Sequence, residues 1–287
     1  QDWSGWTKRD YKTLLKYFYK WLRGMEEFPP EVKWVKTRMG VRQKKLPEDL
    51  LTANEIFKLI QTAWHPRDRA FIATLAESGC RVGEVGGLRI KDIQFDEYGA
   101  VIVVDGKTGM RRVRVIAAAP FLATWLNAHP HSSNREAYVW VRKGNGEFLG
   151  YRGLEKMMKL VTKRAGIEKR TNFHNFRHSR ASFLANHLTP AQMNEFFGWT
   201  QASDMPAVYV HLSGKNVDSA LFNVYGINMN QAKESDVLKP KICWSCSTWN
   251  EFTNLVCNKC HQLLDIGFGN AQTEREARMS RTERSIE

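Results

Sequence analysis

Arg81, Lys107, His174, Arg177, Trp199 and Tyr209 follow one another in a chain of 287 residues, and as a set they suit a phosphate. Arg81 stands in Ser78-Gly79-Cys80-Arg81-Val82-Gly83-Glu84, and Lys107 in Gly106-Lys107-Thr108-Gly109. His174 and Arg177 share Thr171-Asn172-Phe173-His174-Asn175-Phe176-Arg177-His178; Phe197-Gly198-Trp199 and Tyr209-Val210-His211 come later. A guanidinium fork can hold two phosphate oxygens at once. Cutting a phosphodiester with a side chain needs such cations for the charge on pentavalent phosphorus, a nucleophile, and an acid for the leaving oxygen. A phenol is a weak nucleophile when free, but nearby cations favour its phenolate. Taken one at a time, each residue has a plainer role: a surface ion pair, a turn lysine, a structural histidine, a packed indole.

Several elements must carry these groups. Thr52 followed by Glu55 is a capping box, and Ile56, Leu59, Ile60 and Ala63 give that helix an apolar face. Pro66 suits the first turn of a second helix, lined by Phe71, Ile72, Leu75 and Ala76 and ended by Gly79 just before Arg81. Val101–Val104 and Val113–Ile116 are β-branched runs around the Gly-Lys-Thr-Gly turn, which predicts a hairpin with Lys107 at its tip. Residues 121–128, 153–165, 176–186, 190–197 and 217–224 are expected to be helical. Ahead of them, Thr7 to Arg23 reads as a helix capped by Thr7 and ended by Gly24. Its Tyr11, Leu14, Leu15, Phe18, Tyr19 and Leu22 make one apolar face that is expected to pack. The fold class is therefore mainly α with a small antiparallel β-sheet, an α+β chain.

The order and spacing of these motifs resemble the tyrosine recombinases, the phage-integrase family, over roughly residues 50 to 230. His-Asn-Phe-Arg-His is close to the family's His-x-Leu-Arg-His, Phe-Gly-Trp stands where the family has Leu-Gly-His or a tryptophan, and Tyr209-Val210-His211 is similar to its Tyr-x-His. The resemblance implies that Tyr209 attacks a phosphodiester to give a 3′-phosphotyrosyl link. Arg81 and Arg177 would hold the phosphate, Lys107 would protonate the leaving 5′ oxygen, and Glu84 would orient Arg81 by ion pairing. His174 would exchange the tyrosine's proton or donate to the phosphate, Trp199 would position a phosphate oxygen or pack, and His178 would be structural. Tyr225 is the competing tyrosine. The ester keeps the bond energy, so no catalytic cofactor is implied. The implied partners are double-stranded DNA and further copies of the chain, as dimers or tetramers on DNA. A nicking-closing topoisomerase shares this chemistry, and a non-catalytic DNA-binding protein on the same scaffold is a third reading.

Domains follow from these motifs: 1–47 as a partial helical DNA-binding domain and linker, 48–230 as the catalytic domain, 241–266 as a zinc-ribbon-like module, and 271–287 as a tail without fixed structure. Cys243-x-x-Cys246 and Cys257-x-x-Cys260 have the spacing of two knuckles closing a tetrahedral zinc site. About 25 residues cannot fold on apolar burial, so structural Zn²⁺ would supply the stability, and stripping it is expected to unfold this module alone. Cys257 to His261 also spells a c-type haem attachment pattern, which would leave the first knuckle without a purpose. Cys80 reads as a buried filler.

The net charge is +13. Residues 1–47 carry twelve Lys/Arg against five Asp/Glu, Lys33 to Lys45 holds six cations and no acid, and residues 152–180 hold nine cations against two acids. Two basic blocks fit a protein that grips a duplex from two sides. No apolar run approaches a membrane span and no signal peptide is visible, which with reduced cysteines suggests the cytoplasm. Deleting residues 1–47 removes seven net positive charges. It is expected to weaken duplex binding and flatten the slope of log affinity against log salt, measured by titration at several salt concentrations.

Overall fold

Thr52 and Glu55 close a reciprocal cap and start the first long helix of the unit that carries the candidate site: the Thr52 side chain accepts from the Glu55 N–H at 3.2 Å, and Glu55 accepts from the Thr52 N–H at 2.8 Å. The computed structural model describes residues 3–37, 47–106, 109–210, 222, 225 and 237–264. Lys107, His211, the tail at 271–287, residues 38–46 of the basic segment, and the helix expected at 217–224 apart from Phe222 lie outside them. The chain divides into two compact units, Gln1–Lys45 and Leu46–Glu287.

In the first unit, α1 (Gly5–Leu22) is capped by Ser4, not Thr7; the Ser4 hydroxyl accepts from the Thr7 N–H at 3.1 Å. A short α2 (Pro30–Lys33) follows. The apolar face expected to pack is open, with Leu14 65% and Leu22 56% exposed. The neighbouring segment lies on another face of α1. Lys16 and Lys20 sit over the Phe28 ring, Tyr17 meets the same ring edge-on, and the Lys16 ammonium donates to the Val35 carbonyl at 3.3 Å. The described part of this unit offers α1 no second long helix to cover its Leu14–Phe18–Trp21 side.

In the second unit, α3 (Ala53–Thr62) and α4 (Pro66–Ser78) lead to a left-handed Gly79 (φ +57°) and a short α5 (Val82–Gly86). A three-stranded antiparallel sheet comes next, β1 (Ile93–Asp96), β2 (Gly99–Gly106) and β3 (Gly109–Val115), in that order. β2 and β3 run in register from Ala100 opposite Val115 to Gly106 opposite Gly109. Then come α6 (Ala119–Asn127), α7 (Tyr151–Ala165), α8 (Phe173–Leu184), α9 (Pro190–Phe197) and α10 (Met205–Val210). The structure is α+β, as the sequence implies; β1, α5 and α10 are too short to leave a periodicity to read. Among the described residues no helix is long and apolar enough to cross a membrane.

A main core joins most of these elements, and a second, smaller cluster packs α8, α9 and α10 around Phe197 and Tyr209. Phe71 meets Trp140 edge to face at 5.2 Å, and both are fully buried. The Trp140 indole donates to the Val85 carbonyl at 2.6 Å, tying this core to the helix just after Arg81. Glu77, near the end of α4, accepts three backbone N–H groups from Ile116, Ala117 and Ala118 at 2.7–3.1 Å, so the end of β3 and the start of α6 are fixed to the helix that delivers Arg81.

The cysteine-rich segment has a small cluster of its own around Cys243 and Cys257, and joins the main core through Phe252. Its strands β4 (Lys241–Ile242) and β5 (Trp249–Asn250) pair antiparallel. Beyond them Phe252 is 5% exposed and enters the main core, 4.9 Å from the Phe121 ring and 5.8 Å from Phe57. Glu251, almost fully buried, pairs with Arg69 of α4 at 2.6 Å. The ribbon is therefore continuous with the unit it follows. Phe252→Ala is expected to destabilise that whole unit by about 3–5 kcal/mol, as for other buried phenylalanines, and urea denaturation followed by the core tryptophans checks it.

Candidate active site

Arg81 sits at the N-terminus of α5, and the carboxylate of Glu84 takes both its backbone N–H (2.8 Å) and its guanidinium (2.9 Å). The same carboxylate receives Arg111 of β3 through both terminal nitrogens, at 2.7 and 3.1 Å. Arg111 also donates through Nε to the Phe196 carbonyl at 3.1 Å and through Nη2 to the Cys80 sulfur at 3.4 Å. Burial would raise the Glu84 carboxyl, but the hydrogen bonds from Arg111 and from the Arg81 N–H outweigh it and hold the group below its ordinary value. Burial, with the Glu84 charge adding to it, pushes the Cys80 thiol up against the pull of Arg111, so it fits the inert filler expected of it.

Two glycines make this arrangement possible. A Cβ on Gly106 would meet Glu84 Oε1 at 2.4 Å, and one on Gly198 would meet Arg111 Nη1 at 2.8 Å. The residue before Lys107 thus abuts the carboxylate that holds Arg81. Lys107 itself lies outside the described residues.

Arg177 of α8 is 3% exposed. Its terminal nitrogens donate to the Gly79 carbonyl at 3.0 Å and the Phe197 carbonyl at 2.7 Å, and its cation lies over the Phe197 and Trp199 rings. Burial, then repulsion from Arg81 and Arg111, lowers its pKa to about 10, while Glu84 opposes the change. Three guanidiniums gather around a single carboxylate, so the site carries excess positive charge that an anion would relieve.

Tyr209 of α10 is 2% exposed. Its ring stacks on Trp199, at 5.7 Å and 6° from parallel, and Trp199 stacks in turn on Phe197. Burial raises the phenol above its ordinary value, and Arg177 only partly counters it. The phenolic oxygen is hydrogen-bonded to His178 Nδ1 at 2.7 Å. His174, one turn earlier on α8, is exposed and meets the His178 ring edge-on at 4.4 Å. The histidine read as structural is the one on the phenol. The spacing holds the signal, since residues four apart share a helix face. Arg111 is a second miss: the sequence shows it only as a neighbour of Lys107, and its fork pairs with a carboxylate 27 positions away. Tyr225 is exposed.

The sulfur atoms of Cys243, Cys246, Cys257 and Cys260 all lie within 4.8 Å of one another. The two knuckles repeat one hydrogen-bond pattern. Cys243 donates its N–H to Thr248 and Cys257 donates its N–H to Gln262; Ser247 donates back to Cys243 and His261 back to Cys257. Ser247 and His261 both take positive φ, 55° and 60°. Four sulfur donors at these distances suit tetrahedral zinc, whose Zn–S bonds of about 2.3 Å place sulfurs somewhat under 4 Å apart.

Residues 49–216 match the phage integrase family. The chain belongs to that family. Among similar phage-integrase-family proteins, the tyrosine recombinase XerA of Pyrococcus furiosus is 30% identical over 189 residues, 63% of this chain and 64% of XerA. A tyrosine recombinase XerC of Lactobacillus delbrueckii subsp. bulgaricus is 28% identical over 213 residues, 69% of this chain and 70% of XerC. The chain spans about half to two thirds of the length of the first curated relatives it matches. The XerH recombinase in a post-cleavage complex with difH superposes with a TM-score of 0.59 at 22% identity, covering 77% of this chain and 68% of XerH. The Tn1549 transposon integrase on transposon-end DNA superposes at 0.57 and 17% identity, covering 76% and 79%. Both share this fold.

Arg111→Met keeps length but leaves Glu84 with Arg81 alone. It is expected to cost about 3–5 kcal/mol, the range for removing one partner of a buried ion pair. Because the Glu84 carboxyl is lower when folded than when unfolded, its stabilisation is complete above the ordinary carboxylate range and fades as pH falls through the folded value. Glu84→Gln is expected to flatten that acid-side loss, read as the urea midpoint between about pH 3 and 7.

Proposed function

We propose that this chain is a site-specific DNA recombinase that cuts and rejoins strands through a phosphotyrosyl bond on Tyr209. The observation that carries the reading is the buried Tyr209 stacked against Trp199 beside the clustered guanidiniums of Arg177, Arg81 and Arg111. A phosphodiester held by that cluster would gain charge-assisted hydrogen bonds, and they would strengthen as charge builds on its oxygens. Lys107, next in sequence to Gly106, is assigned the proton for the leaving 5′ oxygen, and His174 a donor bond to the phosphate. Glu84 positions Arg81. On the helix α7, Arg152, Lys156, Lys159 and Lys163 are exposed at helical spacing and offer a cationic face for the duplex backbone. One chain brings one Tyr209, and exchange between two duplexes breaks four strands, so the reaction calls for several copies on DNA. The family likeness of the curated relatives supports this reading over simple DNA binding.

The test starts from a pool of nicked duplexes of randomised sequence, from which covalent protein–DNA adducts are recovered and sequenced. The parent chain is expected to select a site, and mass spectrometry to find the nucleotide on Tyr209. Tyr209→Phe should bind the selected duplex as the parent does and yield no adduct, whereas Arg81→Ala and Arg177→Ala should each lose about a hundred- to thousand-fold in rate. A nucleotide on Tyr225, or adducts from Tyr209→Phe, would overturn the assignment.

We further propose that Cys243, Cys246, Cys257 and Cys260 hold one structural Zn²⁺, with the metal serving the fold and no step of the chemistry. Phe252 ties the ribbon into the core, so stripping the metal is expected to lower the melting temperature of the whole catalytic unit as well as to unfold residues 241–264. Elemental analysis and calorimetry with and without a strong chelator check this; a metal-free protein with unchanged melting would refute it.

A further inference from the structure

We propose that His178 is the base that takes the phenolic proton of Tyr209. The inference rests on the reading of Tyr209 as the nucleophile and adds a residue to it.

Among the described residues, three side chains with hydrogen-bonding groups stand against or near the Tyr209 ring and hydroxyl: His178, Trp199 and Arg177. An indole only donates, and a guanidinium has no lone pair to offer a proton. His178 alone has one, and its Nδ1 is already 2.7 Å from the phenolic oxygen. In the tautomer that carries its hydrogen on Nε2, Nδ1 accepts the phenolic hydrogen. Water is a poor substitute, because Tyr209 is 2% exposed. Burial also keeps the phenol protonated beyond its usual range, so an acceptor is needed for attack at neutral pH. An imidazole, with an ordinary pKa of about 6.5, is suited to that task.

The placement is built into α8. Arg177 is pinned by the Gly79 and Phe197 carbonyls, with Arg81 and Arg111 as its charged neighbours. The next residue, His178, turns by one helical step, about 100°, toward α10 and meets the nucleophile. One pinned turn of helix thus sets both the phosphate-holding group and the base.

The step balances. As the Tyr209 oxygen bonds to phosphorus, its hydrogen passes to His178 Nδ1. The bond from phosphorus to O5′ breaks with its electron pair leaving on O5′, which takes a proton from the acid assigned to Lys107. When a 5′ hydroxyl later attacks phosphorus, its proton goes to that lysine, and the imidazolium returns its hydrogen to the departing tyrosine oxygen.

The experiment uses the whole chain and the duplex selected above, made with an ordinary 5′ oxygen or with sulfur at the leaving position. Sulfur leaves without a proton, so it bypasses the acid but not the base. His178→Ala is expected to keep duplex affinity and lose about a hundredfold or more in adduct rate on both substrates, with part of the rate restored by added imidazole. His178→Asn can still hydrogen-bond the phenol but cannot store its proton, and is expected to lose as much. Lys107→Ala, by contrast, should recover on the sulfur substrate. Parental rates from His178→Asn would reduce His178 to a positioning residue and overturn the proposal, as would full recovery of His178→Ala on the sulfur substrate. The reading beneath fails differently: adducts from Tyr209→Phe, or none from the parent, would remove the nucleophile itself.

Discussion

A single buried carboxylate organises the site. Glu84 receives the backbone and side chain of Arg81 and both terminal nitrogens of Arg111, which brings the start of α5, the β2–β3 hairpin and the end of α9 to one point. Burying an ion pair is costly, and hydrophobic residues of the same volume often do as well. What the charges add here is direction. A carboxylate with two oxygens and a rigid fork fix an angle that apolar packing would leave loose. They also hold cations close together where repulsion would part them, which leaves room for an anion as the missing partner.

The second organising contact is aromatic. Phe197, Trp199 and Tyr209 form a stack that Arg177 covers from the side. The left-handed Gly198 ends α9 and allows Trp199 to turn back into the stack. A phenol held by ring stacking on its face and by an imidazole at its oxygen loses rotational freedom before any substrate arrives. The enclosure that restrains it also makes its proton harder to remove, so position and proton transfer have to be solved together.

Much of this is legible in the sequence, where local rules speak. The Thr52–Glu55 capping box, Pro66, Gly79 and the β-branched runs around Gly106 each name an element that forms. The motif residues Arg81, Arg177, Trp199 and Tyr209 gather in one place. The unread parts depend on distance. Arg111 finds Glu84 across 27 positions, and Glu251 finds Arg69 across 182. No window of sequence shows such partners. The α1 face misleads for the same reason, since periodicity shows that a face could pack and says nothing of what covers it. His178 is legible as a neighbour of His174 by helical spacing, and residue type alone is what sets it aside.

The docking of Phe252 bears on how the chain comes into being. Domains fold from the N-terminal side as synthesis proceeds. The slot between Phe57 and Phe121 is complete early, yet the side chain that fills it is made after Tyr209 and every other candidate catalytic residue. A nascent chain carrying all the chemistry therefore still has an open apolar gap in its core and an unpaired Arg69. A chain shortened before the ribbon would keep Tyr209 yet lack the ring that fills this slot.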